Sequence, residues 1–216
     1  MEKPPWKRVL SPVISNTEIM PGVHLLWTDA PEIAHTAQPG QFIMVRCGEG
    51  YDPLLRRPLS IHQVASESAK PFPTRLAFLF AVVGRGTEWL SRRRNGELID
   101  LFGPLGNGFS LRPESRNLLL IAGGMGIAPL VFLAQKALAQ KCSVTLLMGA
   151  STRAQLYPQD MLPSGLELVT VTEDGTAGKK GMITDPLSDF IGGSDQVFAC
   201  GPTSMFKAIL AQGRSQ

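Results

Sequence analysis

The stretch Leu118-Leu119-Leu120-Ile121-Ala122-Gly123-Gly124-Met125-Gly126-Ile127-Ala128-Pro129 decides the fold of the second half of this chain. Its first five residues are apolar without a break, which suits a strand covered on both faces, as in a parallel sheet. Three closely spaced glycines follow, and then a helical pattern from about Ala128 to Gln140. Small residues at a strand-to-helix turn let the backbone approach a pyrophosphate closely, and N–H groups at the helix start point toward it. Pro129 suits the first helical turn, where its missing N–H costs nothing. The spacing is Gly-x-Gly-x-x-Pro, which is not the ordinary dehydrogenase fingerprint. A tight turn without a ligand is the alternative.

Outward toward the C-terminus, Val144–Met148, Leu166–Val171 and Gln196–Cys200 read as further buried strands, and Met205–Ala211 as a closing helix. That order predicts a doubly wound α/β unit with a parallel sheet. Toward the N-terminus the texture is different. Val9–Ile14, Val23–Thr28, Phe42–Cys47, Leu59–Val64, Leu76–Val83 and Glu97–Leu101 are short apolar or alternating runs. Pro21-Gly22, Pro39-Gly40, Gly48-Glu49-Gly50, Pro71-Phe72-Pro73 and Asn95-Gly96 punctuate them. Short strands at this spacing predict a small antiparallel barrel or sandwich. The change of texture at Arg112-Pro113-Glu114-Ser115 places a domain boundary there, giving units 1–112 and 113–216.

Composition narrows the function classes. A length of 216 residues accommodates two domains with real cores, and a net charge of +3 implies no large nucleic-acid footprint. No run of 18 apolar residues suggests a membrane span, and Met1-Glu2-Lys3-Pro4-Pro5-Trp6 lacks the apolar core of a signal peptide. Cys47, Cys142 and Cys200 are scattered and odd in number, so a disulfide framework is not expected and a reducing cytoplasm is. Three thiolates also fall short of an ordinary iron–sulfur cluster. His24, His35 and His62 lack metal-ligand spacing, and no metal site is expected.

Four further constellations carry chemistry. Arg56-Arg57-Pro58-Leu59-Ser60-Ile61 opens a barrel strand, where an arginine and a hydroxyl three residues apart point to opposite faces and suit different parts of one ligand. A solvated basic turn is the plainer reading. Gly84-Arg85-Gly86-Thr87 precedes a short helix and forms an anion-receptive nest, with Thr87 equally readable as a helix cap. Leu101-Phe102-Gly103-Pro104-Leu105-Gly106-Asn107-Gly108-Phe109 reads as a dense turn cluster. Ala199-Cys200-Gly201-Pro202 places a thiol at the carboxyl edge of a strand, where open α/β sheets bind ligands. Inert packing is the common fate of such a cysteine.

In this order, Arg-Pro-Leu-Ser, Gly-Arg-Gly-Thr, Gly-Pro-Leu-Gly-Asn-Gly-Phe, Ala-Gly-Gly-Met-Gly-Ile-Ala-Pro-Leu and Cys-Gly-Pro resemble the ferredoxin-NADP reductase superfamily over nearly the whole chain. Within it, Leu59 and the stretch Thr172-Glu173-Asp174-Gly175-Thr176 leading into Lys180-Gly181 are most similar to the electron-transfer subunits of class B dihydroorotate dehydrogenases. The resemblance implies an antiparallel Greek-key β-barrel that binds FAD, followed by a domain that binds NAD(P)H. It implies that Arg57 holds the flavin pyrophosphate, that Pro58 and Leu59 wall the isoalloxazine, and that Ser60 hydrogen-bonds near the reactive flavin nitrogen. Gly84, Gly86 and Thr87 would hold the FAD diphosphate. Gly123, Gly124 and Gly126 would receive the nicotinamide nucleotide's pyrophosphate, and Cys200 and Gly201 would border the meeting place of nicotinamide and flavin. Ser60 and Cys200 are thus the residues implied nearest the chemistry, without acid or base roles.

The implied partner is a dihydroorotate dehydrogenase catalytic subunit or another redox protein. Family members continue past Cys-Gly-Pro into a cysteine-rich segment that holds a [2Fe–2S] cluster; here 216 − 200 = 16 residues follow Cys200 and none is cysteine. No cluster is expected in this chain. A stand-alone flavin or ferredoxin reductase or the reductase subunit of another redox complex, and a non-catalytic regulatory subunit of the same fold, are the competing readings. Two minor features stay open: Ser151 and Arg153 as contacts to an adenine ribose or its 2′-phosphate rather than a solvated loop, and Arg92-Arg93-Arg94 as a solvated turn or a docking point.

Overall fold

The computed structural model describes residues 6–48, 55–66 and 72–213, and the chain divides into two units, Met1–Phe109 and Ser110–Gln216. The division falls three residues before the boundary expected at 112. Of the expected turns, Glu49-Gly50 and Pro71 lie outside the described residues.

Unit 1 is a closed barrel of six antiparallel strands: β1 (Lys7–Met20), β2 (Val23–Asp29), β3 (Phe42–Val45), β4 (Arg57–Ala65), β5 (Arg75–Ala81) and β6 (Leu98–Leu105). They run in the order β1-β2-β5-β4-β3-β6, with β6 pairing back onto β1. Closure removes the sheet edges. Leu26, Ile43, Ile61, Phe78, Ile99 and Leu101 fill the interior, each at most 1% exposed. All six expected strands are present, and β1 is longer than its apolar run because its first half pairs with β6 and its second with β2.

The turn cluster expected at 101–109 is corrected in part. Leu101–Leu105 is strand, because it completes both the β1–β6 and β3–β6 ladders. A short helix, α1 (Pro31–Ala34), was not legible in the sequence; α2 (Arg85–Ser91) follows β5 as expected.

Unit 2 carries a parallel sheet of β7 (Asn117–Gly123), β8 (Ser143–Ala150), β9 (Glu167–Thr172), β10 (Lys179–Lys180) and β11 (Gln196–Cys200), in the order β10-β9-β8-β7-β11. Its helices are α3 (Ile127–Ala139), α4 (Ser188–Ile191) and α5 (Thr203–Gly213). Leu119 and Ile121 of β7 pack with Leu147, Ile183, Leu187 and Met205, and against Phe190 and Ile191 of α4 and Ile209 of α5. Alternation turns Leu118 and Leu120 to the opposite face, and α3 packs against β7 and β8. Covering on both sides is why Leu118–Ala122 of β7 is apolar without a break. Asp195 fixes the start of β7, its carboxylate accepting the N–H groups of Arg116 (2.7 Å) and Asn117 (2.8 Å).

From β7 the chain steps outward through β8, β9 and β10, then returns to the other side of β7 as β11. The switch point therefore lies between the carboxyl ends of β7 and β11, where open α/β sheets bind ligands.

Candidate functional site

The switch point in unit 2 brings together the glycine turn and the Cys200-Gly201-Pro202 segment. β7 ends at Gly123, a single 3-10 turn spans Gly124–Gly126, and α3 begins at Ile127. A Cβ on Gly126 would lie 1.8 Å from the Cys200 carbonyl oxygen, so only glycine lets the turn cross the end of β11. Gly123 and Gly201 also meet: a Cβ on Gly201 would stand 3.2 Å from the Gly123 Cα and 2.9 Å from Met205 Sδ. Gly124 differs from these. Its φ is +54°, and a Cβ there would meet nothing within 4 Å. The turn is thus packed on its Gly123 and Gly126 sides and open at Gly124, the shape needed for a pyrophosphate to approach backbone N–H groups at a helix start.

Cys200 is half-buried in register with Ala122, and burial pushes its thiol above the ordinary range. It stays a neutral thiol at neutral pH. Its place is that of a polarizable wall beside Gly201, with no thiolate to act as nucleophile.

The barrel supplies a second patch. Arg57 is the first residue of β4, and its Nη1 donates to the Leu55 carbonyl at 2.7 Å. Gly86, in the first turn of α2, lies against it: a Cβ there would come 3.0 Å from Arg57 Nε. The structure thus joins the Arg57-Pro58-Leu59-Ser60 and Gly84-Arg85-Gly86-Thr87 motifs, which the sequence separates by about 27 residues. A guanidinium beside first-turn N–H groups without intrahelical acceptors fits a diphosphate. Along β4, Leu59 is buried, Pro58 exposed and Ser60 half-buried opposite Phe42 of β3.

Two expectations change in detail. The Thr87 hydroxyl accepts the N–H groups of Val83 (2.9 Å) and Gly84 (3.2 Å) and donates to the Gly84 carbonyl (3.0 Å). It braces the helix start from within the first turn and has no second proton to donate. The N–H groups of Gly86 and Thr87 are what this corner offers an anion, whereas Gly84 spends its own on Thr87.

The two arginines of the motif separate in role. Arg56 Nη2 donates to Asp100 Oδ2 at 2.7 Å and Nη1 to the Asp100 carbonyl at 3.0 Å, while Arg8 Nη2 reaches the same Oδ2 at 2.8 Å. Burial pushes the Asp100 carboxyl up, but hydrogen bonds from Arg8 and Arg56 outweigh it and hold the group below the ordinary carboxylate range. Arg56 is a barrel staple, whereas Arg57 makes no hydrogen bond to Asp100 and lies against Gly86. Beneath them Cys47 is fully buried; burial raises its thiol to about 11 against the opposing pull of Arg57 and Arg56.

Sequence reasoning missed Asn16, Asp100 and Met205. Asn16 Nδ2 contacts the carbonyls of Leu90, Ser91 and Arg93, each at 3.0 Å, and so caps the helix that carries Gly86. No local pattern marks such residues, because their partners lie on distant elements. The Arg92-Arg93-Arg94 run forms the turn after α2: Arg93 lies 4.0 Å over the Trp89 ring and Arg92 pairs with Glu88. Ser151 Oγ donates to Glu173 Oε1 at 3.0 Å, and the Arg153 N–H to Thr176 Oγ1 at 2.8 Å. Among the described residues no group of three or more His, Cys, Asp or Glu is placed to hold a metal, and no helix is long and apolar enough to cross a membrane.

Comparison with known proteins agrees with this geometry. A family model described as the oxidoreductase NAD-binding domain matches residues 120–210, which include the glycine turn and Cys200-Gly201. The chain is similar in fold to the NADH-dependent reduced ferredoxin-NADP oxidoreductase described for flavin-based electron bifurcation, with TM-score 0.80 and 30% identity, covering 95% of this chain and 72% of that one. It is 32% identical over 199 residues to the dihydroorotate dehydrogenase B (NAD(+)) electron transfer subunit of Bacillus cereus strain B4264, covering 91% of this chain and 75% of the relative. With the corresponding subunit of Desulforamulus reducens it shares 41% identity over 194 residues, covering 88% of this chain and 72% of the relative. The chain therefore belongs to the family of dihydroorotate dehydrogenase B electron transfer subunits, with the two-domain fold of the ferredoxin-NADP reductases.

Proposed function

We propose that this chain is a flavoprotein subunit that passes electrons between NAD(H) and FAD and exchanges them with a dihydroorotate dehydrogenase catalytic subunit in pyrimidine synthesis. The observation that carries this reading is the meeting of Gly123, Gly126, Cys200 and Gly201 at the switch point of unit 2, which leaves Gly124 open. Membership of the family supplies the direction and the partner: the relatives are electron transfer subunits named for NAD(+).

In this reading Arg57 and the N–H groups of Gly86 and Thr87 bind the FAD diphosphate. Pro58 and Leu59 shape the wall beside the ring, and Ser60 places a hydroxyl toward it. Bound FAD supplies the acceptor for a hydride and can release electrons singly to a partner. The chain's own contribution is alignment and exclusion: the glycine turn receives the coenzyme pyrophosphate, and the neutral Cys200 thiol with Gly201 bounds the nicotinamide without forming a bond to it. The three free cysteines accord with a reducing compartment, and we place the protein in the cytoplasm.

Purified protein reconstituted with FAD should be yellow and should bleach anaerobically on addition of NADH. It should also co-purify with a dihydroorotate dehydrogenase catalytic chain from its native source. Protein that takes up no flavin, or holds flavin that NADH cannot reduce, refutes the redox reading. The 30% identity to a ferredoxin-NADP oxidoreductase favours a second reading, a reductase subunit of another redox complex. Co-purification with a different redox chain would select it.

A further inference from the structure

We infer that Asn16, aimed by His24, is a positioning residue for flavin binding, which fixes α2 so that Gly86 meets Arg57 in one geometry. The inference rests on the flavin reading of that corner and identifies what holds it in place.

The corner is sensitive to small displacements. A Cβ on Gly86 would come 3.0 Å from Arg57 Nε, so the helix and the guanidinium already touch. Yet α2 spans only Arg85–Ser91, about two turns, and a helix this short is not stable through its own hydrogen bonds. Its direction is set by what it is fastened to. At its start, the Thr87 hydroxyl bonds Val83 and Gly84, which belong to the same segment. Leu90 is fully buried, which fixes the depth of the helix, but apolar packing is non-directional.

The directional contacts from another element lie at the far end and come from β1. Asn16 Nδ2 donates to the carbonyls of Leu90, Ser91 and Arg93, each at 3.0 Å. Helix ends leave carbonyls without intrahelical donors, and one amide here serves the last two residues of α2 and the turn beyond it. The backbone alongside adds two bonds. The Gly96 N–H donates to the Val13 carbonyl at 2.8 Å, and the Val13 N–H to the Glu97 carbonyl at 2.9 Å. From Leu90 back to Gly86 is about 6 Å along the helix axis, so a displacement at the Asn16 end reaches Arg57 nearly undiminished.

Asn16 is itself oriented. Carbonyl oxygens only accept, so the amide nitrogen faces the helix end and the amide oxygen faces away from it. His24 Nδ1 lies 3.2 Å from that oxygen, so Nδ1 carries the proton and donates. The His24 ring is stacked on Phe80, its cross-strand partner on β5, with centroids 5.7 Å apart and planes 18° from parallel. A chain of contacts thus runs from the β2–β5 ladder through His24 and Asn16 to α2, and Asn16 acts on the flavin corner through the helix.

The test is FAD titration of the full chain in Asn16→Leu and in His24→Phe. The first keeps a side chain of similar size and removes the amide; the second keeps a ring against Phe80 and removes the donor. Asn16→Leu should weaken FAD binding about tenfold, the scale of one lost hydrogen bond, and His24→Phe about threefold. In protein saturated with FAD, the phosphorus NMR resonances of the diphosphate should move toward those of free FAD in both variants. The visible absorption of the flavin ring should keep its bound shape. A role confined to folding would lower the urea midpoint and leave the resonances of bound FAD where they are in wild type. If Asn16→Leu does not fold, His24→Phe carries the test. FAD affinities within about twofold of wild type in the folded variants, or unmoved phosphorus resonances, would overturn the inference. Wild-type protein that takes up no FAD would instead overturn the flavin reading on which it rests.

Discussion

At the scale of single residues, Gly126 and Gly124 of one turn do different work. Gly126 is required by packing, since a methyl group there overlaps the Cys200 carbonyl, a backbone atom that cannot rotate away. Gly124 is required only by its positive φ. Gly126→Ala should therefore destabilise unit 2 by about 3 kcal/mol or more. Gly124→Ala should cost only about 1 kcal/mol, while weakening nucleotide binding by filling the open side. Urea titration followed by far-UV dichroism, with nucleotide titration beside it, separates the two effects. The same logic divides Arg56 from Arg57. Arg57→Ala should lower FAD affinity at least about tenfold with little loss of stability, because among the described residues its head group hydrogen-bonds only to the Leu55 carbonyl. Arg56→Ala should do the reverse. Equal FAD affinities in the two variants would remove the distinction.

At the scale of elements, the carboxylate of Asp100 on β6 ties in Arg8 of β1 and Arg56, the residue just before β4. Arg8 is 62% exposed, so Arg56 carries more of the interaction. Because the folded-state affinity of Asp100 for protons is lowered, its contribution is full above the ordinary carboxylate value of about 3.9 and is lost as pH falls below it. Asp100→Asn should cost about 2 kcal/mol at pH 7 and flatten the acid-induced loss of stability below about pH 4. Urea midpoints at pH 7 and pH 3 measure both. The elements themselves were largely legible. β11 matches its expected bounds at Gln196–Cys200, and α3 is displaced by one residue from the expected 128–140. Those missed, α1, β10 and α4, span four, two and four residues, too short to show a period. Strand β6 was cut short because Gly103-Pro104 looks like a turn in isolation; only the ladders on either side make it strand.

At the scale of the whole molecule, each unit has its own core and, in the proposed reading, its own nucleotide patch, so each cofactor should stabilise the protein by mass action. FAD at about 100 times its dissociation constant should add about 2.7 kcal/mol, read as a raised melting temperature. A roughly tenfold loss of affinity in Arg57→Ala should cut the gain to about 1.4 kcal/mol at the same FAD concentration. An undiminished gain in that variant would place the flavin elsewhere.

The amino-acid sequence alone determined the two-unit architecture, the strand–turn–helix at Gly123–Gly126 and the residue types that suit phosphate and flavin. These depend on local periodicity and backbone chemistry, which neighbouring residues set. Only the tertiary structure decided which arginine is tied to Asp100 and that Thr87 spends its hydroxyl on a helix start. It also revealed that Gly126 is small because β11 crosses it, and that Glu173 lies beside Ser151. Each of these depends on which atoms of distant segments compete for the same hydrogen bonds and the same volume, and that competition exists only once the sheets have closed.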